Sequence, residues 1–237
     1  MVDDSLPNAL AEEFARADES RLTRVVAAVS DSEGVSHELR TLRGDRAPAV
    51  ALLCATERAD LLILGRHRPR PFTDIFRETT MERIVAQVAC PVLLACAPTG
   101  TDYGVVVAAI DFSPASAAAV RTAALLVAEA RLGGVHALHV PYRGLIAPST
   151  AEALSEEARS AEATLRKARD LPAHFGPIAM IEGVVDQVVA AALARDNADL
   201  LALGAHARAG VGGALLGGFA TRILRDPPAD PLIARAG

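Results

Sequence analysis

Residues 199–224 read DLLALGAHARAGVGGALLGGFATRIL, and the succession of residue types across them decides the fold. Asp199 precedes an apolar run of strand length, a glycine-punctuated loop follows, and an apolar helix-like segment closes the stretch. A strand feeding a glycine loop and then a helix is the layout of a unit whose turn cradles a phosphate. Glycine lets backbone N–H groups crowd an anion without a Cβ in the way. Gly204, Gly210, Gly212, Gly213, Gly217 and Gly218 therefore make this loop the first functional candidate, weighed against an ordinary βα connection.

A similar text occurs earlier in the chain. DLLILGRH from Asp60 matches DLLALGAH from Asp199, Gly44 matches Gly183, and Arg83 and Ile84 match Arg222 and Ile223 at the same offset. Both copies close on a Pro-initiated apolar segment, Pro91 to Ala95 and Pro231 to Ala234. A tandem repeat of one α/β unit, over 1–98 and 102–237, explains this economically.

Working outward from the quoted stretch, the second copy reads as complete. A β-branched run from Gly104 to Ile110 is a buried strand with Asp111 at its C-terminal end. Ser113 and Pro114 are the N-cap and first position of a helix through Ala130, which Gly133 and Gly134 stop. Val135 to Val140 is the second strand, and Ser149 with Glu152 forms a capping-box pattern before a charged helix to about Arg169. A strand from Phe175 to Ile181, a helix from Val184 to Arg195, a strand from Leu200 to Gly204, a helix from about Gly217 to Arg225 and a strand from Pro231 to Ala234 complete the unit. Alternating strands and helices of this length predict right-handed crossovers and a parallel sheet.

The first copy starts late, because Met1 aligns with Val140. Its expected elements are a helix from Leu10 to Val29, a strand from Ser36 to Leu42 and a helix from Pro48 to Arg58. A strand from Leu61 to Gly65, a helix from Thr79 to Val88 and a strand from Pro91 to Ala95 follow. The counterparts of the first strand, first helix and second strand are missing. Either the start codon is called too far downstream, or the strand at Ser36 to Leu42 loses its sheet neighbours and re-pairs or frays.

Composition narrows the function classes. The chain is 51% hydrophobic with 3% aromatic residues and a mean hydropathy of +0.27, which suits helices packed on buried parallel strands. A formal charge of −5 and a pI near 5.7 remove the basic footprint of sequence-independent nucleic-acid binding. Cys54, Cys90 and Cys96 lack metal-ligand spacing and are odd in number, so the sequence implies reduced thiols in a cytoplasmic protein. No apolar run reaches membrane-spanning length, and the acidic start MVDDSLPNALAEEF is unlike a signal peptide.

Asp111-Phe112-Ser113 after the first strand, Leu138-His139-Val140 on the second, the glycine loop after the fourth and Cys90-Pro91-Val92 opening a terminal strand together resemble the universal stress protein family, its tandem form most. The resemblance covers nearly the whole chain. It implies tandem, open, parallel five-stranded sheets flanked by helices, Rossmann-like, with the first unit truncated. It also implies that the two terminal strands pair across a pseudo-twofold axis, and that members of the nucleotide-binding type hold ATP, with Mg, at the C-terminal ends of the strands.

The family pattern of Gly, two residues, Gly, nine residues, Gly, then Ser or Thr falls on Gly204, Ala207, Gly217 and Gly218. Ala207 adds a methyl where backbone would approach a phosphate, and Gly218 lacks the hydroxyl. By the same resemblance Asp111 lies near the adenosine and Val140 offers backbone groups to the base, while Gly204 and Gly217 line the phosphate path. Asp111 also reads as a helix N-terminal charge beside Ser113. In the first copy Gly65 is kept, but Arg68 and Glu78 replace glycines, Thr79 alone keeps a hydroxyl, and nothing corresponds to Asp111. Glu78 would repel a phosphate there.

Other constellations are weaker. His67 and His206 occupy matching places after their strands, which suits a phosphate contact or shared ancestry. His136 and His139 read as sharing one face of a strand by a period-two spacing, which suits a metal pair; a histidine satisfied within its strand is the plainer reading. Arg66, His67, Arg68 and Arg70 are a basic cluster in a proline-rich, solvated loop. Ser113 lacks a nucleophile-elbow context, Glu156 and Glu157 belong to a charged helix face, and no catalytic acid/base pair stands out. The sequence thus predicts a binding and signalling module with one adenine-nucleotide site in the second unit, an intramolecular pseudo-dimer that associates further as a homodimer. The alternatives are a slow ATPase and a structural partner that binds no nucleotide.

Overall fold

The computed structural model describes residues 20–28, 34–42, 44–65, 79–96, 102–139, 148–168, 171–205, 208–210 and 213–236. The chain divides into two compact units at Gly44 and Asp45. In the first, helix α1 covers residues 20–28, and residues 35–42 are exposed and belong to no helix or strand. The strand expected from Ser36 to Leu42 is therefore not formed. The segment finds no ladder to join, and an isolated strand has nothing to satisfy its backbone except water. The rest of the helix expected from Leu10 lies outside the described residues.

The second unit opens with α2 (Arg46–Thr56), where the Asp45 carboxylate accepts from Ala47 N at 3.4 Å and so starts the helix two residues before the expected Pro48. β1 (Leu62–Gly65), α3 (Thr80–Gln87) and β2 (Val92–Ala95) follow. The later repeat supplies β3 (Val105–Ala109), α4 (Pro114–Leu126), β4 (Arg131–Leu138), α5 (Pro148–Ala168), β5 (Ile178–Glu182), α6 (Val185–Asp196) and β6 (Leu200–Gly204). A short hairpin of β7 (Arg208–Gly210) and β8 (Gly213–Leu215), then α7 (Gly218–Arg225) and β9 (Asp230–Ala234), end the chain.

Seven strands form one sheet in the order β1-β2-β9-β6-β3-β4-β5. Every pairing is parallel except that of β2 with β9, which brings Val92 opposite Ile233 and Leu93 opposite Leu232. The terminal strands of the two repeats thus meet as expected, and each covers an edge the other would leave open. On one face Val92, Leu94, Val107, Leu201, Leu203 and Ile233 pack under α2, α3, α6 and α7; on the other Leu93, Val106, Ala108, Leu200, Ala202 and Leu232 pack under α4 and Leu165 of α5. Leu200, Leu201 and Leu203 are fully buried, each worth about 1.5–3 kcal/mol of transfer free energy.

Two boundaries differ instructively from expectation. α4 ends at Leu126 rather than Ala130, and Gly133 and Gly134 lie inside β4 rather than stopping a helix. A Cβ on Gly134 would come within 2.9 Å of Ile178 and 3.0 Å of Phe175, so this glycine makes room for the neighbouring strand and the turn before it. The third strand begins at Ile178 rather than Phe175 because Phe175 N bonds back to the Pro172 carbonyl at 2.9 Å, closing a turn. The repeat itself is visible in the backbone: Gly44 and Gly183 both adopt positive φ, +100° and +150°, in front of α2 and α6.

Three contacts knit the repeats together. Glu82, 3% exposed, completes the capping box of α3 with Thr79 and takes a hydrogen bond from Arg225 of α7. Buried Asp230 accepts from Cys96 N at 2.8 Å and from the Tyr103 hydroxyl at 2.6 Å, holding both ends of the segment that joins β2 to β3. Arg235, half-buried, donates to the Val85 and Ala86 carbonyls at 2.7 Å each, in the last turn of α3.

Candidate functional site

The strand order reverses between β3 and β6. The chain leaves β3 through α4 to β4 on one side, while β6 stands on the other side next to β9. A crevice at the C-terminal ends of strands where their order reverses is the usual ligand position in an open α/β sheet. Asp111 stands there, exposed, one residue beyond Ile110, whose amide still pairs with the Val135 carbonyl at 2.8 Å. Phe112 follows at φ +61°. A bulky residue in the left-handed region costs about 1–2 kcal/mol and persists only where its surroundings impose it.

The surroundings are identifiable. Phe112 tilts against the His136 ring with centroids 4.4 Å apart, and His136 Nδ1 donates to the Ile110 carbonyl at 2.7 Å. Asp111 Oδ1 accepts from Ser113 N at 3.0 Å, and Ser113 Oγ accepts from Ser116 N at 3.1 Å as the N-cap of α4. The turn is therefore fixed at both ends. An open groove of about 450 Å³ runs beside it, lined by Phe112 and by Glu157, Ser160, Thr164 and Leu165 of α5.

The end of β6 lies against the start of α4, outside the residues that line this groove. Gly204 packs so tightly against the start of α4 that an added Cβ would lie 2.6 Å from the Ala115 carbonyl carbon and collide with Ser116 N. Helix packing alone demands glycine here. Gly217, by contrast, is the N-cap of α7, and a methyl added to it would meet nothing within 4 Å; at Gly218 the added methyl would meet only the Arg222 guanidinium, at 3.4 Å. Between Gly204 and Gly217 the connection is not wholly irregular: β7 and β8 pair antiparallel, Arg208 with Leu215, Ala209 with Ala214 and Gly210 with Gly213, and β8 lies against α3 of the other repeat.

Of the residues singled out by sequence, Asp111, Gly204, Gly217 and Gly218 are described, while Val140, His206 and Ala207 lie outside the described residues, as do His67, the cluster from Arg66 to Arg70, and Glu78. His136 and His139 are not a pair: three residues apart they cannot share a face of an extended strand, and β4 ends at Leu138. Thr79, the one hydroxyl kept in the first copy, caps α3 by accepting from Glu82 N at 3.2 Å. The buried carboxylates Glu82 and Asp230 are not singled out by the sequence reading. The Thr-x-x-Glu spacing of Thr79 and Glu82 is the signal that marks the first of them.

The sequence profile of the universal stress protein family matches residues 1–95 and 102–235. The chain belongs to this family. Among solved structures, this universal stress protein is similar to one from Archaeoglobus fulgidus DSM 4304, at 17% identity and a TM-score of 0.68 over 100% of this chain and 85% of that one. It is also similar to a functionally unknown protein from Pseudomonas aeruginosa PAO1, at 19% identity and a TM-score of 0.68 over 92% and 78% of the respective chains. Both likenesses concern the fold. No curated protein matches the sequence significantly. Among the described residues no helix of this universal stress protein is long and apolar enough to cross a membrane.

Proposed function

We propose that this universal stress protein is a binding and signalling module that takes an adenine nucleotide, ATP in the first instance, in its second repeat only. The observation that carries the reading is the exposed Asp111 carboxylate, held at the β3–β6 switch point on a turn that stores strain at Phe112. Asp111 is suited to hydrogen-bond a ribose hydroxyl, with Val140 beside the base. Gly217 and Gly218, the first with open space around it, offer amides at the N-terminus of α7 to the phosphates, and His206 and Ala207 complete the connection. Gly204 supports the site indirectly, by letting α4 approach the end of β6.

Among the described residues no three His, Cys, Asp or Glu side chains gather as metal ligands. A magnesium ion would therefore come with the polyphosphate, neutralising charge that the chain's own residues leave uncovered. Three free thiols favour a reducing compartment such as the cytoplasm. Association into a homodimer is favoured by β1, which pairs on one side only among the described strands and exposes Ile63 at 59%.

A second reading, a structural partner without nucleotide, is favoured by the β7–β8 ladder, which occupies backbone groups that a phosphate would use. Isothermal titration of the full chain with Mg-ATP, followed by product analysis, separates the readings. Saturable heat without ADP supports the binding module, heat with turnover makes the protein a slow ATPase, and absence of heat leaves the structural partner.

A further inference from the structure

The first repeat carries a pair of thiols that its twin lacks. Cys54, near the end of α2, and Cys90, two residues before β2, have their side chains next to one another. Both are half-buried, and both pack against the hydrophobic cluster that α2 and α3 share with the sheet. In the register that places Leu62 on Leu201 and Val92 on Pro231, Cys54 falls on Leu193 and Cys90 on Ala229. In the twin both positions are apolar and belong to the same cluster, so packing alone does not call for sulfur at either position. Cys96, beyond β2, is turned to a different task, its amide held by Asp230.

We propose that Cys54 and Cys90 are a reversible dithiol/disulfide pair, oxidised by a hydroperoxide, which staples the end of α2 to the residues leading into β2. One thiolate attacks a peroxide oxygen, the O–O bond breaks, and a sulfenic acid and water form. The second sulfur then displaces the sulfenic oxygen, closing the S–S bond and releasing a second water, so two thiols lose two electrons and hydrogen peroxide becomes two waters. Burial and the adjacent Cys54 push the Cys90 thiol up, which disfavours its thiolate. The bond would close a loop containing β1 and α3 and tie the end of α2 to it. The proposal does not depend on the nucleotide reading.

The test uses the full chain, reduced, freed of reductant, exposed to hydrogen peroxide and then alkylated. Peptide mapping with fragment ions that separate Cys90 from Cys96 should show a Cys54–Cys90 bridge and an alkylated Cys96. The melting temperature should rise by roughly 5–10 °C and return on adding dithiothreitol. C54L/C90A, which installs the residues of the twin, should fold with the reduced protein's melting temperature and show no rise. Both thiols remaining alkylatable, either one overoxidising singly, or a bridge that involves Cys96 would overturn the proposal.

Discussion

Arg225 Nε donates to Glu82 Oε1 at 2.6 Å, joining α7 of one repeat to α3 of the other, and the carboxylate it serves is almost entirely shielded from water. Such a pair gains little over an apolar contact while it is intact, but losing one partner strands a charge. Arg225→Ala should cost about 2–3 kcal/mol in urea unfolding, the lower side of the usual range because the arginine is partly exposed. Adding Glu82→Gln should recover part of the loss; no recovery would mean that the arginine acts by packing alone.

Tyr103 and Asp230 make the alkaline limit of stability specific. Burial and the hydrogen bond to Asp230 push the Tyr103 phenol up from its ordinary value. A group with a raised folded-state pKa contributes stability that is fully present below its unfolded pKa, about 10, and is lost as pH rises toward the folded value. Tyr103→Phe should cost about 1–2 kcal/mol at pH 8 and flatten the decline above pH 10 relative to wild type. A parallel decline in both proteins would show that this phenol does not set the limit.

Gly204 and Gly217 separate packing from binding. Gly204→Ala should destabilise by about 1–3 kcal/mol because its methyl meets α4 backbone. Gly217→Ala, into open space, should change stability by less than about 1 kcal/mol. Thermal unfolding of the two variants checks the contrast, and equal losses would contradict it.

Residues 35–42 should exchange their amides at rates near those of an unstructured peptide, whereas Leu200 to Leu203 should need global opening. Hydrogen exchange read by mass spectrometry decides this. Slow exchange over residues 35–42 would mean that the segment pairs after all.

These residues also show what a linear reading reaches. The matched pairs Asp60 with Asp199 and Gly44 with Gly183 locate both copies, because strand starts and positive-φ turns are local features that residue type announces. Asp199 Oδ2 indeed accepts from Gly104 N and Val105 N at 2.9 Å each, tying β6 to β3. The matched arginines keep one task through different acids: Arg83 pairs with Asp45 and Arg222 with Asp186, each at the start of the preceding helix. What escapes such a reading is set by neighbours distant in sequence. Gly134 reads as a helix stop and is a strand residue pressed by Ile178; residues 36–42 hold the place of a strand in the repeat and form none; and the loop after β6, glycine-rich in sequence, contains a hairpin. Asp111 is legible as a charged residue ending a strand. The left-handed Phe112 beside it is not, since phenylalanine gives no local reason to adopt that conformation.

The most direct measurement is the Mg-ATP titration repeated on Asp111→Ala, with its melting temperature measured alongside. The wild type should show one site per chain and the variant at least about tenfold weaker binding, the loss of a hydrogen bond that the ligand donates to a carboxylate, with melting changed by no more than a few degrees. Wild-type heat that persists with the same affinity in the variant would contradict the placement of the nucleotide at Asp111.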